Sequence, residues 1–541
     1  MELKRINSIL LLSLIASAMM AVPARRGGIL RTAEDGTQKM VYLHGNEHFH
    51  YMTDSEGRWL DENSLAPLSE EAKALRMEQK AAAEKKLRRV AQQTNGIGDK
   101  PNPAPRGLLI LVNFKDQSFV TPKDTMDVML NGDNFTRNYS YDYQYVDEDG
   151  KTHTIHYHIE SEGSARKYFR DQSYGLYNPT FDVIGPLTVS QNTAYYGANT
   201  GSGADTNPQA MIKEACTLAD QAGVDFTQYD NNNDGYIDFV YVIYAGYGEA
   251  DGGSEETIWP HQWDISNMRH SVDGKYIGRY ACGSELSFYS KLYAGIGTFC
   301  HEFSHVLGLP DLYETNQPSQ GIHTLFEWDI MDYGPYTNDG NTPPSYSAYE
   351  RFYMGWLTPR LLSSPENVTL YPINEDSGSS LMISTANTHN MSGWNPNPTT
   401  YYLLEARNQT GWDKYLPGAG MLITKISFSK SSWSANTVNN NYRAMGVDIQ
   451  EAGSLSNRSS KTDAFPAGAT SWTAYANHEI TDIKRAPLTG VITFLYRGGV
   501  QTTVESVEPD NGSPVKILRN GQVLIQREGK IYDLLGRGMN Q

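Results

Sequence analysis

His301, Glu302, His305 and Asp311 are the residues of this chain whose types and spacing most clearly specify chemistry. On a helix, two histidines four positions apart lie one turn above each other, roughly 40° apart around the axis. Their imidazoles can hold one metal ion between them. Glu302 can then face a metal-bound water, the place for a general base. Gly308 lets the chain leave the helix sharply, Pro310 discourages its return, and Asp311 falls where a turning chain brings a third ligand back. The pattern His-Glu-x-x-His-x-x-Gly-x-x-Asp reads as a zinc site with a fourth position left for water. The competing reading is an amphipathic helix with no metal. A purely structural zinc site is disfavoured, because no fourth protein ligand is evident near the helix.

A second stretch, Asp230-Asn-Asn-Asn-Asp-Gly-Tyr-Ile-Asp238, places Asp230, Asn232, Asp234 and Asp238 at the oxygen positions of a calcium loop. Tyr236 is a further candidate ligand, and Gly235 serves the turn. Tyr241 stands where an EF-hand has its bidentate Glu, so the expectation is a calcium loop of related spacing. The alternative is an Asn/Asp turn between a helix and a strand. Downstream, Trp328-Asp-Ile-Met-Asp-Tyr-Gly334 puts Met331 in a tight turn that can pack beneath a histidine metal site. Tyr333 is close enough in sequence to reach the open side of the metal. His261 is left as structural, and His44, His48 and His50 read as ordinary strand residues. Cys216, Cys282 and Cys300 cannot make a disulfide framework, a single Cys282–Cys300 bond being the pairing considered.

These groups need a scaffold, and 541 residues are enough for two or more domains. The net charge of 45 − 62 = −17 argues against nucleic acid or an anionic membrane as the main partner. Residues 1–24 read as a secretory leader, with Lys4 and Arg5 before an apolar run too short for a membrane span. Residues 25–100 form a separate unit: a strand, a turn at Asp54–Gly57 and a second strand, then a charged helix from Ser69 to Gln93. It reads as a propeptide that covers the site, or else as an accessory domain. The Pro- and Gly-rich linker 94–107 suits proteolytic nicking. No Cys precedes residue 216, so latency cannot come from a propeptide thiolate.

Residues 101–360 read as the catalytic unit. It opens on the apolar strand 107–116, gains helices at 164–171 and 207–222, and has a strand at 239–244 before the histidine helix. Residues 361–500 are strand-rich, and 501–541 are a linker followed by a small set of strands.

Taken together these motifs resemble the metzincin-type zinc metalloendopeptidases, and more closely the M6, immune inhibitor A-like, peptidases. The resemblance is carried by Leu-Ile-Leu-Val-Asn-Phe, Asp-Gly-Tyr-Ile-Asp before Val-Tyr-Val-Ile-Tyr-Ala-Gly, Ile-Trp-Pro-His and Gly-Leu-Pro-Asp-Leu-Tyr. Leu403–Arg407, Pro417–Ile423 and Asp463–Pro466 add to it, so it covers roughly residues 40 to 500. It implies an α+β fold, with a mixed sheet and an active-site helix followed by a β-rich C-terminal portion. It implies zinc on His301, His305 and Asp311, Glu302 as base, Met331 as the Met-turn residue, bound calcium, and activation by removal of the chain's own propeptide. Asp311 departs from the His that usually ends the metzincin pattern. Tyr333 resembles the tyrosine that follows some Met-turns and stabilises the oxyanion. The tail 515–537 resembles the C-terminal sorting tails of type IX secretion, with surface attachment and free release both open; the alternative is a terminal hairpin. The expected function is therefore a secreted zinc endopeptidase acting on proteins or peptides. The alternative is a secreted, calcium-stabilised binding protein with an inactive site.

Overall fold

The computed structural model describes residues 20–539 apart from 34, 37, 91–102, 147–150, 201–202, 317–323, 376–378, 457, 501–513, 520–521, 528–529 and 534–535. Its central sheet contains β1 (Met20–Ala21), β2 (Arg106–Asn113), β3 (Thr180–Thr188), β4 (Val240–Tyr247), β5 (His261–Asp264) and β6 (Arg279–Leu286). The order across the sheet is β1-β5-β6-β4-β2-β3. Strands β6, β4, β2 and β3 are parallel, β5 runs antiparallel to β6, and β1 runs antiparallel to β5.

The unbroken apolar run Leu108–Val112 is fully buried because both faces of its strand are covered. Leu109 and Leu111 point to the face carrying the histidine helix, Gly297–Val306. Leu108, Ile110 and Val112 point to the other face, where helix Pro208–Gln221 packs Met211, Ile212, Ala215 and Cys216. The histidine helix is pinned through Phe303, whose ring meets Phe239 at 4.6 Å, Phe169 at 4.9 Å and Phe181 at 5.3 Å, all steeply inclined. Phe169 comes from helix Ala165–Gln172, whose first turn is capped by Ser164 accepting from the Lys167 amide at 3.1 Å. The two sides of the sheet also settle the cysteines. Cys282 belongs to one core and Cys300 to the other, so no Cys282–Cys300 bond forms, and all three cysteines are free and buried.

The N-terminal part is a four-stranded meander, Gly28–Thr32, Gln38–Asn46, Phe49–Thr53 and Trp59–Leu60, rather than a single hairpin. The turn near Asp54–Gly57 is present, but an earlier one reverses the chain after Asn46. There Asn46 Oδ1 accepts from the amides of His48 (3.0 Å) and Phe49 (3.3 Å). Gly45, at φ +107°, brings the backbones so close that a Cβ would sit 2.1 Å from the Phe49 carbonyl oxygen. Helix Glu70–Val90 follows, with Ser69 Oγ accepting from Ala72 N at 3.2 Å. Most of the expected nicking linker lies outside the described residues.

This meander shares a core with the catalytic unit, where Ile29, Val41, Leu43 and Met52 pack with Ala250, Trp259 and Tyr289. Beyond residue 359 come a five-stranded sheet and a three-stranded sheet, as the strand-rich texture implies. The tail forms its own four-stranded sheet between Val515 and Met539. The class is α+β, and among the described residues no helix is long and apolar enough to cross a membrane.

Candidate active site

The histidine helix lies against β6 and β5, with β1 beside it. It ends as its glycine dictates: Gly308, at φ +100°, donates to His305 O (2.9 Å), and Leu309 donates to Ser304 O (3.1 Å). The chain then doubles back, and Asp311 comes under the two histidines.

Three ligand atoms converge there. His301 Nε2 and His305 Nε2 are 3.0 Å apart, and Asp311 Oδ1 lies 3.3 Å and 3.1 Å from them. A zinc ion about 2.0–2.1 Å from each atom in tetrahedral geometry would set them roughly 3.3–3.4 Å apart. All three side chains are buried, and Asp311 Oδ1 has no hydrogen-bond donor among the described residues. This is the one group of three or more metal-ligating side chains among the described residues. The far ring nitrogens are already committed, His301 Nδ1 to Ile330 O at 2.7 Å and His305 Nδ1 to Leu309 O at 2.8 Å. With those N–H groups donating to carbonyls, each Nε2 presents its lone pair to the cluster. Burial pushes His301 toward its neutral form, the form that can ligate. The residues fit the metal the motif implies.

The supports come from further along the chain. Asp329 Oδ1 accepts from the Met331 amide at 2.8 Å and shapes the turn. That turn offers Ile330 O to His301 and Met331 O to the Leu312 amide (2.8 Å), so it fixes both ends of the ligand set. Met331 itself is fully buried, as a packing residue beneath the site should be. Asn436 was not visible as a site residue. Its amide donates to Asp311 Oδ2 at 2.5 Å, and its Oδ1 accepts from Asp311 N at 2.7 Å. Asn439 and Asn440 hold Leu312 and Thr315 in the same manner. In sequence this is merely a polar, Asn-rich stretch, and only its position reveals the clamp.

Glu302 is fully buried and directed at the path of the N-terminal chain. Its Oε1 accepts from the Val22 amide at 2.9 Å, and its Oε2 has no hydrogen-bond partner among the described residues. Burial pushes its carboxyl well above the ordinary range, and the charge of Asp311 adds to the rise. Residues 20–24, read from sequence as the end of a leader, are therefore inside the cleft. Ala21 O accepts from Tyr313 OH (2.6 Å), Val22 O from Trp259 Nε1 (2.9 Å), and Pro23 O from Tyr336 OH (2.7 Å). Arg25 anchors the segment on Asp251 (2.7 Å) and Asp339 (2.8 Å). Tyr333, expected at the open side of the metal, stacks beneath the Arg26 guanidinium at 3.8 Å. Tyr313 is the tyrosine whose hydroxyl meets the strand beside Glu302.

The Asp230 loop is arranged otherwise. Asp230 Oδ1 accepts from Asp234 N (3.0 Å), and Oδ2 accepts from Gly235 N (3.0 Å) and Lys275 Nζ (2.6 Å). Asp238 Oδ2 accepts from Asn231 N at 2.6 Å, Asp234 accepts from Tyr236 N and Asn232 Nδ2, and Asn232 Oδ1 accepts from Asp234 N. Asp230, Asn232, Asp234 and Asp238 thus knit the turn together. Tyr236 begins a short strand paired with Tyr276. His261 is structural, between Trp259 O and Tyr280 OH at 2.7 Å each.

Residues 98–357 match the catalytic domain of the immune inhibitor A peptidase M6 family. Immune inhibitor A of Bacillus thuringiensis subsp. alesti is 29% identical over 212 residues, which are 34% of this chain and 31% of that protein. The pre-pro-metalloprotease PrtV of Vibrio cholerae serotype O1 (strain M66-2) is 26% identical over 271 residues, 43% of this chain and 29% of that protein. The matches thus span about a third of the length of these relatives. Residues 98–357, which carry the converging His-His-Asp cluster and Glu302, belong to the M6, immune inhibitor A-like, peptidase family.

Proposed function

We propose that this chain is a zinc-dependent endopeptidase that hydrolyses peptide bonds of proteins, with His301, His305 and Asp311 as ligands and Glu302 as general base. The observation that carries this reading is the near-tetrahedral spacing of three buried ligand atoms beside a buried carboxylate that faces the cleft. Zinc held there supplies a Lewis acid and lowers the pKa of a bound water to about 7. The chain's own groups do the rest. Glu302 takes the proton of the attacking water and returns it to the departing amine, and its burial suits a base that must also serve as an acid. Ile330 O and Leu309 O keep the histidine rings in the ligating tautomer, Asn436 keeps Asp311 turned inward, and Met331 fills the space beneath.

The proposal includes export by an N-terminal leader cut at Ala18, the early end of its run of small residues, so that residues 20–26 stay with the chain, together with retention or release through the C-terminal tail and synthesis as a proenzyme. Latency is supported by the seating of residues 20–26: a substrate cannot reach Glu302 while the Val22 amide occupies it. The propeptide reading of the N-terminal part extends to the meander, which packs on the catalytic unit around Trp259. Calcium at the Asp230 loop lacks comparable support, because the carboxylates there already serve backbone amides and Lys275.

The test is casein digestion by the zinc-loaded chain after limited proteolysis within residues 94–107, with Glu302→Ala alongside. Expected are activity in the wild type, its loss under chelation and return with zinc, and an inactive variant that still binds zinc. A well-folded, zinc-loaded wild type that cuts neither casein nor a diverse peptide mixture would turn the reading to a secreted binding protein.

A further inference from the structure

One peptide bond in the cleft is held at both of its polar ends. The bond is Ala21–Val22. Its N–H donates to Glu302 Oε1 at 2.9 Å, and its carbonyl oxygen accepts from Tyr313 OH at 2.6 Å. The flanking chain is held as an extended substrate would be, paired antiparallel on the free edge of β5 with Met20 opposite Gln262 and Ala21 opposite His261. Beyond the bond, Trp259 and Tyr336 take the next two carbonyls. Val22 lines a small pocket together with Ala294, Gly295 and Thr298.

Hydrolysis of a peptide needs two things at these two places. A group that carries a proton must reach the nitrogen that becomes the amine, and a donor must wait for the charge that develops on the carbonyl oxygen. Glu302 stands at the nitrogen and Tyr313 at the oxygen. We infer that Ala21–Val22 occupies the position of a scissile bond, and that Tyr313 is the catalytic residue that stabilises the oxyanion, at this bond and in substrates alike. The inference rests on the endopeptidase reading above. In the step it describes, water adds hydroxide to the Ala21 carbonyl carbon while Glu302 receives the remaining proton. The C–N bond then breaks and that proton passes to the Val22 nitrogen; the proton of the added hydroxyl follows it to the amine, leaving an Ala21 carboxylate and a Val22 ammonium terminus. The substrates that fit the same frame are extended segments with a small apolar residue on each side of the cut.

Tyr313 lies two residues after the proposed ligand Asp311, so the backbone turn that delivers the ligand also delivers the hydroxyl. The ring is buried, and its only expected loss in Tyr313→Phe is that hydroxyl.

The experiment uses the full chain loaded with zinc, as wild type, Glu302→Ala and Tyr313→Phe, with new amino termini read by mass spectrometry over time. Expected are a terminus at Val22 in the wild type, none in Glu302→Ala, and appearance about 10²- to 10³-fold slower in Tyr313→Phe at unchanged zinc content. A readout independent of turnover is amide exchange over residues 20–26 in the metal-free full chain, which should be about 5-fold faster in Tyr313→Phe because one seating hydrogen bond is gone. A Tyr313→Phe chain that is processed at the wild-type rate overturns the tyrosine's role. A wild type that digests casein while Ala21–Val22 stays whole overturns the scissile position and leaves the endopeptidase reading intact. A folded, zinc-loaded wild type that does neither overturns both.

Discussion

The His301–Asp311 stretch and the Asp230–Asp238 loop both carry side chains at spacings that can hold a metal, and the fold treats them in opposite ways. Around His301 the polar atoms that face outward are satisfied by carbonyls and by Asn436, while the atoms that face each other are left with lone pairs and no donor. Around Asp230 the inward oxygens are themselves the acceptors for Asp234 N, Gly235 N and Lys275. Spacing brings candidate ligands together in both places. Whether a cation is needed depends on what else already satisfies their oxygens and nitrogens, and that depends on residues far away in sequence. A buried carboxylate oxygen without a donor is costly unless an ion completes it, whereas one shared among amides and an ammonium is already stabilised.

The comparison breaks most visibly at the histidines. His305→Ala removes one ligand atom and leaves Asp311 facing a single imidazole, so stoichiometric zinc binding and proteolysis should both disappear. Metal content by mass spectrometry is the check, and a His305→Ala chain that retains its zinc would mean that the ion sits elsewhere. A smaller effect is expected at the clamp. Asn436→Ala leaves every ligand in place but frees Asp311 Oδ2 and the Asp311 amide, and zinc affinity should fall about 10- to 100-fold. Competition with a chromophoric chelator measures it. Unchanged affinity would show that the turn after Gly308 positions Asp311 unaided.

On the other side of the comparison, Asp230→Ala strips acceptors from two amides and from Lys275, and should lower stability by about 1–2 kcal/mol. Millimolar calcium should leave the melting temperature of the wild type where it was, since nothing that binds the native state is gained. A calcium-dependent rise, abolished in Asp230→Ala, would restore the loop as an ion site and show that Lys275 yields to the cation.

What could be read from the chain follows the same division. Local geometry was legible: four-residue spacing on a helix, a glycine at its end, an unbroken apolar run for a strand covered on both faces, and Ser69 at the start of its helix. So was the convergence of His301, His305 and Asp311, because they lie within one helix and its exit turn. Long-range partners were not. Asn436 lies 125 residues beyond Asp311, in a stretch whose composition matches any surface loop. Val22 lies 280 residues before Glu302 and is disguised as part of a leader, since a short apolar segment suits export and burial equally. That the sequence does not single out Tyr313 has a different reason. The turn after Met331 offered a tyrosine at an attractive spacing, and only the course of the chain through the cleft shows which hydroxyl meets a carbonyl. The turn at Asn46 was hidden because alternation continues on both sides of it.

The smallest effect expected is a pH dependence, at a third place where a carboxylate already has its partner. His50, on the N-terminal meander, faces Glu249 of the catalytic unit at 2.9 Å. Burial works against the charged imidazole, but the Glu249 carboxylate and its hydrogen bond outweigh it, with Glu62 adding and Arg76 opposing, so the pKa of His50 is raised. A histidine whose folded pKa exceeds its unfolded value of about 6.5 contributes fully below that value, and its contribution is lost as pH rises through the folded pKa. The hold of the meander on the catalytic unit should therefore weaken from about pH 6 toward alkaline conditions. After a nick within residues 94–107, the fraction of N-terminal piece that co-elutes with the rest in size-exclusion chromatography reports this directly. His50→Gln keeps a hydrogen bond to Glu249 without the charge, and should flatten the profile to the level the wild type reaches at high pH. A variant with the wild-type slope would assign the pH dependence to Glu255, whose hydrogen bond with Glu62 near this contact raises its pKa to about 7.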